Sequence, residues 1–327
     1  MVGGSDDATH TSESTMSPTT RAAVEPAALL QVRQRERYEV LAEHGRGGLG
    51  RVSRARDTLL GREVAIKELI QRGDVREVRF MREAMITARL EHPGVVPVHE
   101  AGCWADGTPF YAMKLVSGRP LKDLIEERTT LEDRLGLLPH VIAIADAIAY
   151  AHGRRIIHRD LKPSNVVIGE FGETVVIDWG LAKDLSESDE PALDHTPRAH
   201  ASNDLTHTGS VLGTPAYMAP EQARGEPVDE RVDVFAIGAM LWELCTSTRM
   251  LPEPDRRSRL LRRARIDPDL AAIVDKAIAP DPRDRYPDAA ALATDLKAFH
   301  AGARIAARSY SLLALLAHWT RRRRRIA

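Results

Sequence analysis

Between His158 and Asp178 the chain places a carboxylate at Asp160, an amine at Lys162, an amide oxygen at Asn165 and a second carboxylate at Asp178. Asp160 is suited to accept a proton from an attacking hydroxyl, and Lys162 to neutralise charge on a group in transfer. Asn165 and Asp178 offer oxygen donors, the type a small hard cation such as Mg2+ requires. A base, a cation and two hard-metal ligands in this order suit phosphoryl transfer, because that reaction is mostly positioning and charge neutralisation.

Upstream, Gly45-x-Gly47-x-x-Gly50-x-Val52 lies between two stretches read as strands. Glycines let backbone N–H groups approach phosphates with no Cβ intervening. Dinucleotide-binding turns use similar glycines, but they need a helix next, and here a strand pattern follows. A hairpin turn would explain the glycines alone. Val64-Ala65-Ile66-Lys67, on the next alternating stretch, adds a lysine where a phosphate site needs one.

These groups need elements to hold them. With 327 residues the chain can form two lobes, each with its own core. Apolar content of 43% and charged content of 28% are those of an ordinary globular protein. A net charge of −1 gives no general attraction to nucleic acid, and no such partner is expected. Cys103 and Cys245 form no short-spaced pair and read as buried thiols of a reducing compartment. Residues 1–35 read as a disordered leader, since Met1–Thr20 are rich in Gly, Ser, Thr and Asp. They lack the basic start and apolar centre of a secretory signal. No run approaches the ~20 apolar residues of a membrane span.

Strands are expected at 38–41, 51–55, 63–68, 95–98 and 109–116, with one helix at 75–90. The second half reads as mainly helical. Pro139 suits the first turn of a helix running to His152, and Asp233–Cys245 is apolar on all sides, as a fully buried helix would be. Short strands are expected at 166–168 and 174–177, and helices at 268–279 and 288–300.

Asp178 is followed by Trp179-Gly180, then by a long polar segment ending in Gly213-Thr214-Pro215-Ala216-Tyr217-Met218-Ala219-Pro220-Glu221. Together with the earlier motifs, and in the same order, this resembles the bacterial eukaryotic-like (Hanks-type) serine/threonine protein kinases over residues 38–300. The resemblance implies an α+β, two-lobed kinase fold spanning 36–302. A small antiparallel-sheet lobe with one main helix would cover about 36–113, and a larger, mainly helical lobe about 117–302. It implies transfer of the γ-phosphate of ATP to Ser/Thr hydroxyls of proteins, including autophosphorylation, with Mg2+ or alternatively Mn2+.

The residue roles follow from the same resemblance. Gly45, Gly47, Gly50, Val52, Ala65, Met113, Lys114 and Val116 would surround the nucleotide. Lys67 would meet its phosphates, held by Glu83 or, as the alternative, Glu77. Asp160 would be the base, Lys162 the charge neutraliser, and Asn165 and Asp178 the metal ligands. Thr206 and Thr208 are the expected phosphosites, with Arg159 as their partner. Thr214 belongs to the docking segment, Glu221 would pair with Arg285, and Asp233 would anchor the catalytic loop. A catalytically silent scaffold of the same fold is the alternative, but it would normally lack one of these groups. A small-molecule kinase is a more distant one, disfavoured by the docking segment.

The pattern departs in three places. Trp179 stands where the family usually has Phe. Only residues 246–266 separate two helical patterns, and they hold Arg256, Arg257, Arg259, Arg262, Arg263 and Arg265 where the family has a longer substrate-docking region. Residues 303–327 form a tail that joins an apolar stripe, Leu312–Trp319, to Arg321–Arg325. Such a tail suits an anionic membrane surface or packing on the large lobe. The expected location is therefore the cytoplasm, with peripheral contact at the inner membrane face.

Overall fold

The structure, a computed structural model, describes residues 31–46, 50–71, 73–186, 215–249 and 254–308. Gly47, Thr206, Thr208, Thr214 and the arginine tail lie outside the described residues.

Five antiparallel strands build the small lobe: β1 (Tyr38–Arg46), β2 (Gly50–Asp57), β3 (Arg62–Leu69), β4 (Val98–Cys103) and β5 (Pro109–Lys114), in the order β1-β2-β3-β5-β4. Helix α1 (Asp74–Ala88) covers one face. Side chains alternate across a strand, and β3 shows the consequence. Val64 and Ile66 join Trp104 and Phe110 in one apolar cluster, with the last two rings stacked 3.5 Å apart. Lys67 points to the opposite side, where Phe80, Met81 and Ala84 of α1 pack on Leu69 and Tyr111.

Three expectations need correction here. The strand expected at 95–98 begins at Val98, and Val95 makes only a single bridge to Val176. Pro97 has no N–H to give a ladder, so the apolar run before it cannot continue one. The leader was expected to extend to residue 35, yet residues 31–35 already dock on the sheet. Arg33 N–H donates to Cys103 O at 2.8 Å, and Cys103 N–H to Gln31 O at 3.2 Å. Gly102 leaves room for this pairing, since a Cβ there would stand 2.7 Å from Gln31 O. Backbone pairing of this kind leaves no apolar pattern in the sequence. The third correction is a helix within 246–266, described below.

The large lobe opens with β6 (Gly118–Pro120), α2 (Leu121–Glu127), α3 (Leu131–Leu135) and α4 (Leu138–His152). Then come β7 (Ile156–Ile157), β8 (Val166–Gly169), β9 (Thr174–Val176) and β10 (Lys183–Asp184). Helices α5 (Pro220–Ala223), α6 (Arg231–Thr246), α7 (Pro254–Arg263), α8 (Pro268–Ala277) and α9 (Ala289–His300) follow. Helix α6 is buried on every side from Val232 to Cys245, as its unbroken apolar run requires. Gly238 lets α8 approach closely, because a Cβ there would come within 2.7 Å of Ala277. Leu131–His152 has the length and apolarity of a membrane-spanning helix, but it divides into α3 and α4, and its apolar side chains join the lobe's core. Helix α7 escaped the sequence reading because half of its residues are arginine, with Leu260 and Leu261 as its only large apolar pair.

Candidate active site

Lys67 on β3 and Glu83 on α1 meet between sheet and helix, with Nζ 2.5 Å from Glu83 Oε1. Asp178 Oδ1 lies 3.6 Å from the same amine. Burial pushes the Lys67 pKa down, but the charges of Glu83 and Asp178 push it further up, so the amine stays cationic. Tyr111 donates its hydroxyl to Glu83 Oε1 at 2.7 Å. Burial and the Glu83 charge hold that phenol well above its usual range. The sequence reading missed Tyr111, although alternation could have revealed it: it pairs with Lys67 across β3 and β5, two residues before Met113. Glu77 stands nearer the start of α1, and Glu83, rather than Glu77, reaches Lys67.

Gly50 opens β2 at the point where a Cβ would meet Glu68 O at 2.6 Å, so no side chain fits without a shift. Val52 pairs with Lys67, and Ala65 with Met113, which places Val52, Ala65 and Met113 around one end of the sheet. Lys114 ends β5 exposed, and Val116 is half-buried in the connection to the large lobe. Gly45 lies in β1, facing Val52 of β2.

The catalytic loop hangs on Asp233. This carboxylate, buried at the start of α6, accepts the backbone N–H groups of His158 at 2.8 Å and Arg159 at 2.9 Å. His152 Nε2 completes the set at 3.0 Å, while its Nδ1 accepts from Ala289 N–H. Burial raises the Asp233 pKa, but these donors and the nearby imidazoles lower it further, leaving a carboxylate held below its usual range. Arg159 takes a left-handed backbone, φ 65°, a conformation unfavourable by about 1–2 kcal/mol for a side-chain-bearing residue. Asp233 holds its N–H, and Gln222 of α5 donates to its carbonyl at 2.6 Å.

With the loop so fixed, Lys162 Nζ sits 2.8 Å from Asp160 Oδ2. Asn165 is buried, and its Nδ2 donates to Asp160 O at 2.9 Å and Oδ2 at 3.2 Å. Its amide oxygen is thereby left for another partner. Asp178, at φ 62°, keeps a half-exposed carboxylate in the cleft. Burial pushes its pKa up, yet Lys67, His158, Lys162 and the Gly180 N–H push it further down, so it stays ionised. A free amide oxygen and an ionised carboxylate are the donors a hard cation takes, so Asn165 and Asp178 fit such an ion.

Trp179 is buried against His158, with ring centroids 4.6 Å apart, and its Nε1 has no acceptor among the described residues. Gly180 is confined: a Cβ there would stand 3.1 Å from Glu83 Oε2. Arg159 Nε donates to Leu181 O at 2.5 Å. Burial and the neighbouring Arg82 lower its pKa, and a site with two nearby guanidinium groups favours an anion. Below, Arg285 grips Glu221 through two N–H donors at 2.6 and 2.8 Å, both residues buried.

Residues 38–311 match the protein kinase domain family. The chain belongs to that family. The kinase is 36% identical over 245 residues to the serine/threonine-protein kinase PknD of Protochlamydia amoebophila, covering 69% of this chain and 24% of that protein. It is 33% identical over 291 residues to the PknD of Chlamydia caviae, covering 80% of this chain and 31% of that protein. The chain thus spans between about a quarter and a third of the length of these relatives. Among solved structures it resembles the kinase domain of Mycobacterium tuberculosis PknI, with a TM-score of 0.59 and 26% identity over 80% of this chain and 95% of that one. The family's use of ATP, a divalent metal and protein substrates suits the cleft described above.

Proposed function

We propose that this kinase transfers the γ-phosphate of ATP to Ser/Thr hydroxyls of proteins, itself included. The observation that carries the reading is the convergence of Lys67, Glu83 and Asp178 above the loop that holds Asp160, Lys162 and Asn165. Lys67, oriented by Glu83 and Tyr111, binds phosphate oxygens. Asp160 orients the acceptor hydroxyl and takes its proton, while Lys162 beside it balances the charge that develops. Asn165 and Asp178 would hold Mg2+, or Mn2+ in its place, which supplies charge neutralisation at the phosphates. Gly45, Gly47 and Gly50 cover the phosphates. Val52, Ala65 and Met113 line the adenine slot, with Lys114 and Val116 on its edge.

Thr206 and Thr208 are the proposed autophosphorylation sites, and the Arg159 guanidinium the group that receives a phosphate there. Thr214 belongs to the segment that docks the acceptor. Residues 1–30 and 309–327 are proposed as appendages, the latter bringing Arg321–Arg325 to the inner membrane face from the cytoplasm. The tail expected from residue 303 begins later, because Ile305 is buried in the large lobe's core and Asp295 accepts the Ala306 and Ala307 N–H groups at 2.6 and 2.8 Å. Co-sedimentation with anionic vesicles, abolished by replacing those arginines with glutamine, checks that placement.

The decisive experiment offers labelled ATP and Mg2+ to the chain and to Asp160→Ala. Transfer should fall by at least a hundredfold in the variant, with label on Ser or Thr only. Nucleotide binding without transfer in the parent would instead support a silent scaffold.

A further inference from the structure

Helix α7 carries Arg256, Arg259, Arg262 and Arg263 around a shallow concavity of about 460 Å3, which they share with Leu260. Its other side fastens it to the lobe. Leu261 and Arg257 are buried, Arg257 Nη1 donates to Ile278 O at 2.7 Å, and Ser258 Oγ meets Asp275 at 3.3 Å. With 3.6 residues per turn, Arg256, Arg259 and Arg263 fall within a sector of roughly 60°. Those three make no ion pair or hydrogen bond among the described residues.

Helix stability does not account for them. Cations are favourable in the last turn, where Arg262 and Arg263 lie. Arg256 instead sits in the first turn, at the positive end of the helix dipole. Arg259 stands three residues from Arg256 and four from Arg263, spacings at which like charges repel. The nearby carboxylate of Asp275 is already influenced by Arg257 and Arg262. The face is therefore an uncompensated, rigidly mounted block of positive charge.

We infer that the outer face of α7 docks an acidic segment of the protein acceptor, close in sequence to the hydroxyl being phosphorylated. This rests on the transfer reading above. The chain itself contains a matching segment: Glu187, Asp189, Glu190 and Asp194 lie within eight residues that include no Lys or Arg, just ahead of Thr196. A nucleic acid matches α7 less well, because no aromatic side chain is interleaved to stack on bases. A lipid surface matches less well too, since Leu260 is half-buried and Leu261 buried, leaving no apolar wedge.

The test uses two peptides spanning residues 186–208, one as written and one with Glu187→Gln, Asp189→Asn, Glu190→Gln and Asp194→Asn. Both are offered to the full chain and to R256Q/R259Q, whose glutamines keep helix propensity and relieve repulsion. The variant should melt no lower than the parent. The parent should show a KM for the acidic peptide lower by roughly five- to tenfold, with kcat unchanged. The variant should lose that preference, as should the parent in about 1 M salt. Equal KM values in the parent, or a preference surviving in the variant, would overturn the inference. Anisotropy with the labelled acidic peptide and the Asp160→Ala chain separates docking from chemistry. Charge-dependent binding there, with no transfer by the parent, would leave docking standing and sink the kinase reading. Transfer without charge preference would sink docking alone. Stronger binding of an oligonucleotide or an anionic vesicle than of the acidic peptide, lost in R256Q/R259Q, would also overturn it by assigning the face elsewhere.

Discussion

Trp179 and Trp242 are both buried, but only one has its polar atom satisfied. Trp242 Nε1 donates to Thr248 Oγ1 at 3.2 Å, whereas Trp179 Nε1 finds no acceptor among the described residues. A stranded buried N–H is unfavourable by about 1–3 kcal/mol. Trp179→Phe removes that penalty while it removes ring volume, so the two effects oppose each other. Stability should change by less than about 1 kcal/mol, against a loss of about 2 kcal/mol or more for Trp242→Phe. Urea denaturation of both variants checks this, and equal losses would show that ring volume alone decides. At Arg285 no such compensation exists. Arg285→Ala leaves Glu221 buried and unpaired, an expected loss of about 3–5 kcal/mol. Arg285→Lys should recover only part of it, because an ammonium cannot supply two parallel N–H donors. Calorimetric melting of the two variants orders them.

At the scale of elements, what the sequence disclosed depended on whether apolar periodicity defined the element. Helices α1, α4, α6, α8 and α9 lie within a residue or two of their expected bounds, since each buries a periodic or continuous apolar face. The catalytic groups were legible because Asp160, Lys162 and Asn165 share one loop and Asp178 follows directly after the β8–β9 hairpin. Their supports were not legible. His152 and Gln222 act across long sequence separations from ordinary helix positions, and nothing local marks them, while Tyr111 is marked only by strand alternation with Met113. Docking of residues 31–37 was invisible for a similar reason, being held by backbone pairing and by alternate arginines. Arg33 pairs with Glu100, Arg35 with Glu68, and Arg37 with Asp57 at 2.8 and 3.0 Å. These partners differ in what they keep when an arginine is lost. Glu68 retains Arg51 and the Trp104 N–H, so Arg35→Ala should cost under about 1 kcal/mol. Asp57 is buried and would keep only the Leu59 and Leu60 N–H groups, so Arg37→Ala should cost about 1–3 kcal/mol. Thermal melts of both variants test the ranking, and a larger loss for Arg35→Ala would contradict it.

Across the whole molecule, titratable groups tie both lobes to a common pH response. Asp57 and Glu68 in the small lobe, and Asp178, Asp184 and Asp233 in the large one, all have pKa values below their ordinary ones. Burial opposes the shift in each, but arginine, lysine, imidazole or N–H partners outweigh it. A carboxylate whose folded pKa is depressed contributes stability that is full above its unfolded pKa, near 4, and lost as pH falls through the folded value. Three histidines act earlier. His92, His99 and His140 have pKa values lowered by burial, with smaller effects from the charges of Asp146 and Arg154 on His92, of Arg62, Asp57 and Lys114 on His99, and of Arg128 on His140. His92 Nδ1 also accepts the Gly94 N–H at 3.0 Å, a bond that protonation would break. Between their unfolded value, near 6.5, and the lower folded one, the unfolded chain binds more protons, so stability falls as pH drops through that window. Acidification from pH 7 should therefore lower the melting temperature in two stages, the first beginning near pH 6.5 and the second below about pH 4. Calorimetry across that range measures both. His92→Gln, His99→Gln and His140→Gln combined should flatten the first stage and leave the second, because the carboxylate contacts in both lobes are untouched. A first stage that persists in that triple variant would place its origin outside these three imidazoles.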